Sequence, residues 1–183
     1  MIMTVAEFRQ VADTDATDQA LEARLLALEL LIRAYTNNNF QARAFRAAAD
    51  AVSTGKTLLV ETSGLFRAND TLQITDSALN AGLVNVRTSS GGTVTVKEDL
   101  YDESDITVTK VVYPADVKQG AASMLKWQLE SGDKAGVQSE TISRHSVTYY
   151  NMDGDNSIMG YPRSLLGFLA PYMRARFGQG VGV

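Results

Sequence analysis

Between residues 57 and 113 the apolar side chains recur at every second position. Leu58 and Val60, Leu72 and Ile74, Val84 and Val86, Val94 and Val96, and Ile106 and Val108 make up the series. Alternation places neighbouring residues on opposite faces of a strand, so each pair predicts a strand with one buried face. Asn69-Asp70 and Ser89-Ser90-Gly91-Gly92 supply turn residues between the pairs. The segment therefore predicts a compact antiparallel sheet or small barrel of about five strands.

On either side the period is helical. Residues 16–35 hold Leu21, Leu25, Leu26, Leu28, Leu30, Leu31 and Ile32, with Glu22, Glu29 and Arg33 confined to one narrow stripe. Glu29 and Arg33 have the favourable i,i+4 order. A helix this apolar around its circumference has to be covered on more than one side. In a small protein that cover can come from another subunit. Thr4 with Glu7 predicts a capping box on a short helix over 4–11. Asn37-Asn38-Asn39 breaks the long helix, because asparagine tolerates left-handed backbone. Residues 40–52 are alanine-rich, with Phe40, Ala44 and Ala48 on one line and Phe45, Ala49 and Val52 on the next, which predicts a further helix. Val117, Ala121, Met124 and Leu125 predict a helix over 115–130, in which Gly120 permits close approach of another backbone. A last helix starts at Pro162 and is expected to kink at Pro171. The fold class expected is α+β. A helical bundle core of about four to five helices spans 1–56 and 114–183 and ends in a docking segment. A small antiparallel β domain is inserted at 57–113.

Composition narrows the chemistry. The chain has no cysteine, which removes disulfide scaffolds, thiolate nucleophiles and thiolate metal sites. Residues 1–10 lack the basic and apolar regions of a signal peptide. No apolar run approaches the roughly 20 residues that span a bilayer, so no membrane partner is expected. The net charge of −4 argues against tight nucleic-acid binding. That charge resides at 57–113, where eight acids face four bases, whereas 160–183 has three arginines and no acid. Parts so different are suited to different neighbours.

No catalytic, cofactor-binding or metal-binding residue is assigned. Gly55-Lys56-Thr57 looks like the end of a phosphate-binding loop, but Asp50 stands where the first glycine belongs, and a strand-to-helix order is required. Ser143, His145 and Glu140 contain the residue types of a hydrolytic triad, without a nucleophile elbow or an oxyanion hole. Glu98, Asp99, Asp102, Glu103 and Asp105 could hold calcium, but their spacing matches no EF-hand loop, and Asp153-Gly154-Asp155-Asn156 is only a fragment of one. Solvated surface is the simpler reading in each case. An enzyme is not expected. Trp127, Tyr161 and Tyr172 read as core or subunit contacts.

Two terminal segments and one turn carry a family resemblance. They are V-Q-S-E-T-I-S-R-H-S-V-T-Y-Y at 137–150, G-Y-P-R-S-L-L-G-F-L-A-P-Y-M-R-A-R-F at 160–177, and I-R-A-Y-T-N-N-N-F at 32–40. In this order they resemble the head–tail connector, or adaptor, proteins of tailed bacteriophages. The resemblance implies a structural virion protein, made in the host bacterial cytoplasm and placed in the neck, with no cofactor. Its partners would be further copies in a homo-oligomeric ring, commonly a dodecamer, the portal protein, and a stopper or tail-completion protein. DNA would pass through the channel without sequence-specific binding. Short members of that family are purely helical, so the β segment departs from them. Residues 137–150 have β propensity without a consistent buried face, since Ile142 and Val147 differ in parity. Carried over by position, Ser139, Glu140, Thr141, Ile142, Ser143, Arg144, His145, Arg174, Arg176 and Phe177 form the expected partner interface. Arg174 and Arg176 also suit the end of a helix dipole. The alternative is a small cytoplasmic binding module whose β barrel holds a ligand.

Overall fold

The computed structural model of the chain describes residues 1–131, 139–142, 145–148 and 156–175. It divides into two compact units, Met1–Ile2 with Asn39–Tyr113, and Met3–Asn38 with Pro114–Val183.

The first unit is a closed antiparallel barrel. Its strands are β1 (Gln41–Val52), β2 (Thr57–Val60), β3 (Thr71–Thr75), β4 (Gly82–Ser90), β5 (Thr93–Val96) and β6 (Glu103–Val111). They run in the order β1-β2-β5-β4-β3-β6, and β6 pairs back onto β1. Closure removes the two unpaired edges that an open sheet would present. The alternating pairs seen in the sequence fill the interior: Leu58, Leu72, Ile74, Val86, Ile106 and Val108 are fully buried, and Val60, Val84, Val94 and Val96 nearly so. Each such side chain contributes on the order of 1.5–3 kcal/mol on burial. Where the chain enters and leaves the barrel, the rings of Phe40 and Tyr113 meet at 4.9 Å between centroids.

This architecture overturns the expected helical-bundle core. The protein is mostly β, and the barrel has six strands. The helix expected over residues 40–52 is β1, the longest strand. Its alanines favour a helix intrinsically, but propensity is a weak prior that tertiary context overrides. Here β1 is the strand that closes the barrel. Ala49 and Ala51 point inward in alternation and pair with β2 on one side and β6 on the other.

The second unit carries the helices. In α1 (Val5–Arg9) the expected capping box is present: the Glu7 N–H donates to Thr4 Oγ1 at 3.1 Å, and the Thr4 N–H donates to Glu7 Oε2 at 2.6 Å. Thr17 caps α2 (Asp18–Thr36) by accepting from the Ala20 N–H, and Asn37 ends it at φ 50°. In α3 (Ala115–Ser131) the line Val117, Ala121, Met124 and Leu125 is fully buried. Gly120 makes room for the ring of Phe168, not for a backbone. The last helix is a 3-10 helix, Arg163–Tyr172, with Pro171 inside it. Pro171 has no N–H to donate to the i−3 carbonyl, and the helix ends one residue later at Tyr172. Two small sheets complete the described residues. β7 (Ser139–Ile142) pairs with β8 (His145–Thr148), and β9 (Ser157–Ile158) pairs with β10 (Tyr161–Pro162).

Candidate assembly interfaces

Helix α2 buries two charged side chains and exposes two leucines, although Asp18, Gln19 and Glu22 at its N-terminal end are exposed. Leu21, Leu25, Leu28 and Ile32 are buried, as helical periodicity requires. Glu29 and Arg33 are buried with them, at 0% and 9% exposure. The opposite face, Ala23, Leu26, Ala27, Leu30 and Ala34, is exposed, with Leu26 at 41% and Leu30 at 53%. These positions follow the i, i+3, i+4, i+7 rule, so they form one stripe along the helix. Alternating alanine and leucine on such a stripe gives the ridges and hollows that a second helix packs into.

The C-terminal end of α2 holds the segment that follows the 3-10 helix. The Arg174 N–H donates to the Thr36 carbonyl at 2.8 Å. Asn37 Nδ2 donates to the Ala175 carbonyl at 3.0 Å, and Asn38 Nδ2 to the Tyr172 carbonyl at 3.2 Å. The Tyr172 hydroxyl donates to the Asp116 carboxylate, 2.8 Å from each oxygen, and this bond raises the Tyr172 phenol above its usual pKa. A helix leaves its last carbonyls unsatisfied, and residues 172–175 supply one of the missing donors. The asparagines that read as helix breakers thus also anchor a segment more than 130 residues away. The sequence signal for this role was their number, since one asparagine suffices for a left-handed cap.

Among the expected interface residues, Arg174 is exposed and its backbone is held as described. It lies two residues past the 3-10 helix, so its charge is not part of the final turn. Ser143, Arg144, Arg176 and Phe177 lie outside the described residues. Ser139, Glu140, Thr141 and Ile142 face Thr148, Val147, Ser146 and His145 in turn. β7 and β8 therefore meet part of their backbone demand by pairing with each other, and among the described residues neither strand pairs with a third. Glu140 sits opposite Val147, two positions along the ladder from the Ile142–His145 pair, so the register does not set it across from His145.

The acidic loop is committed to local structure. Glu103 accepts from Ser77 Oγ at 2.5 Å, the Ala78 N–H at 2.7 Å, the Leu79 N–H at 3.4 Å and Asn80 Nδ2 at 2.8 Å. These bonds, the one from Ser77 foremost, hold its carboxyl down to about 2. Asp102 accepts from the Ser53 N–H at 2.6 Å, which lowers it below the ordinary carboxylate value. Asp99 pairs with Lys56 at 2.7 Å, so the lysine of Gly55-Lys56-Thr57 is engaged beside a β-turn. Among the described residues no three acidic or histidine side chains converge as a metal site would require. A groove of about 420 Å³ between α1 and α3 is lined by Met3, Val11, Ala122 and Lys126, and Lys118 beside it is 3.4 Å from Glu7. Among the described residues no helix is long and apolar enough to cross a membrane.

No protein-family model matches the chain, and no curated protein matches it. Among solved structures it is similar to a chain from the "Neck of empty GTA particle computed with C6 symmetry", with 12% identity over 98% of this chain and 93% of that one. The TM-score is 0.35, too low to establish a shared fold.

Proposed function

We propose that this chain is a structural subunit of the neck of a tailed phage or phage-like particle, a connector that packs against copies of itself and docks onto a portal ring. The observation that carries the reading is α2. Leu26 and Leu30 lie exposed along one stripe with Ala23, Ala27 and Ala34, apolar surface that a lone subunit leaves in water. A second copy covering the Ala23–Ala34 stripe removes that cost. The order of the segments at 32–40, 137–150 and 160–177 points to a connector as the kind of assembly. On this reading residues 139–145, Arg174, Arg176 and Phe177 face the portal or an adjacent subunit, and the clamp at Asn37 and Asn38 holds residues 172–175. A stopper or tail-completion protein occupies the other face, and DNA passes through the ring.

The test is a pair of charge substitutions, Leu26→Glu with Leu30→Glu. Both positions are exposed, so the isolated chain should keep its far-ultraviolet spectrum and its melting transition. Incorporation into particles should be lost. Normal incorporation of the double variant would remove α2 from the interface and with it the support for the reading.

A further inference from the structure

One end of the barrel holds two large apolar side chains out to solvent on a tightly bonded loop. Leu79 is 59% exposed and Tyr101 64%. The buried Asn80 side chain lies between their backbones: its amide donates to the Tyr101 carbonyl at 3.0 Å, and its oxygen accepts from the Tyr101 N–H at 2.8 Å. Glu103 fixes the turn from Ser77 to Asn80 with four bonds. Ordering each such residue costs about 1–2 kcal/mol, and neither Leu79 nor Tyr101 offsets this by burial within the barrel. Pre-ordering of exposed apolar groups is what a preformed contact site shows. Asp50, Asp102, Glu103 and Asp105 gather at the same end. None of the four is in ion-pair contact with a lysine or arginine among the described residues.

The flank of the same barrel carries another exposed apolar group, with Arg43 next to it. β1 advances from Gln41 to Arg46 while its partner β6 moves only from Val111 to Thr109, so residues 42–45 bulge. A bulge re-aims side chains. Phe45 stands 42% exposed and Arg43 beside it is exposed, while Lys110, 5.6 Å from the Phe45 ring centroid, is paired with Asp70 at 2.7 Å. An apolar pair rimmed by acids and an exposed ring beside Arg43 thus lie on one barrel.

We propose that the Leu79–Tyr101 end of one copy seats on the Phe45 bulge of a second copy of this chain. The apolar groups form the centre of the contact, and Asp102 and Asp105 meet Arg43 at its rim. The two patches are different surfaces, so the contact is heterologous, the type that generates rings. The inference rests on the self-assembly reading above.

The chain has no cysteine, so single-cysteine variants report proximity without background. Full-length Tyr101→Cys is mixed with full-length Phe45→Cys and oxidised. Tyr101→Cys mixed with Thr88→Cys, an exposed barrel position away from the bulge, is the control. The expected result is a disulfide-linked heterodimer from the first mixture and its loss in the second. No product from the first mixture, or equal yield from both, overturns the proposal. Sedimentation of Leu26→Glu/Leu30→Glu reports on the α2 stripe alone, so the two readings fail separately.

Discussion

The ring of Phe168 occupies the space that any side chain at Gly120 would need: a Cβ there would overlap its ring atoms. Both residues belong to the helical unit, and the contact joins α3 to the 3-10 helix. Alanine is worth about 1 kcal/mol more than glycine inside a helix, so a local view predicts that Gly120→Ala stabilises. Forced overlap with a ring costs typically 1–3 kcal/mol. Gly120→Ala should therefore be destabilising by urea denaturation, and Gly120→Ala in a Phe168→Ala background should not be. Equal effects of Gly120→Ala in both backgrounds would show that Phe168 does not set the cost.

Ala49 distinguishes the strand from the helix that its neighbours suggest. It is 4% exposed and faces the barrel interior. In a filled interior Ala49→Leu should cost roughly 1–3 kcal/mol. On a helix surface the same change would be nearly neutral. The midpoint of urea unfolding decides between them.

The helical and strand periods were legible in the sequence wherever the apolar pattern was strong. Leu58 to Val108 alternate and are buried in alternation, and the capping box at Thr4 and the stop at Asn37 are where residue chemistry puts them. Residues 40–52 were misread because alanine packs equally well on either period, so their pattern holds little information. What decides β1 is the need for a sixth strand to close the barrel, a non-local demand. The candidate interface was legible in part. Seven leucines and isoleucines in α2 signalled excess apolar surface. That Glu29 and Arg33 would face inward could not be read from spacing, since the stripe they share looks like a solvent face until the packing partners are known.

Glu103 should leave a pH signature. Its carboxyl is held at about 2, below its ordinary value of 4.5. A lowered folded-state value means that the stabilising contribution is present above the unfolded value and is lost as pH falls through the folded one. The urea midpoint should therefore fall between pH 4.5 and 2, and Glu103→Gln should make that fall shallower. Parallel profiles for the two proteins would show that the carboxylate does not hold the Ser77–Asn80 turn.

Asn37 and Asn38 should control the order of residues 172–175. The Arg174 N–H is bonded to the Thr36 carbonyl, and the two side-chain amides hold its neighbours. Asn37→Ala with Asn38→Ala should leave the barrel's melting unchanged and speed hydrogen exchange at the Arg174 amide. Unchanged protection there would mean that the asparagines do not act as a clamp.

Quantitative mass spectrometry of purified, DNA-filled particles tests the assembly role most directly. A connector subunit should be present in multiple copies per particle, at a ratio to the portal protein that stays constant from one preparation to the next. Particles that are infectious and complete yet contain none of this chain would contradict the role.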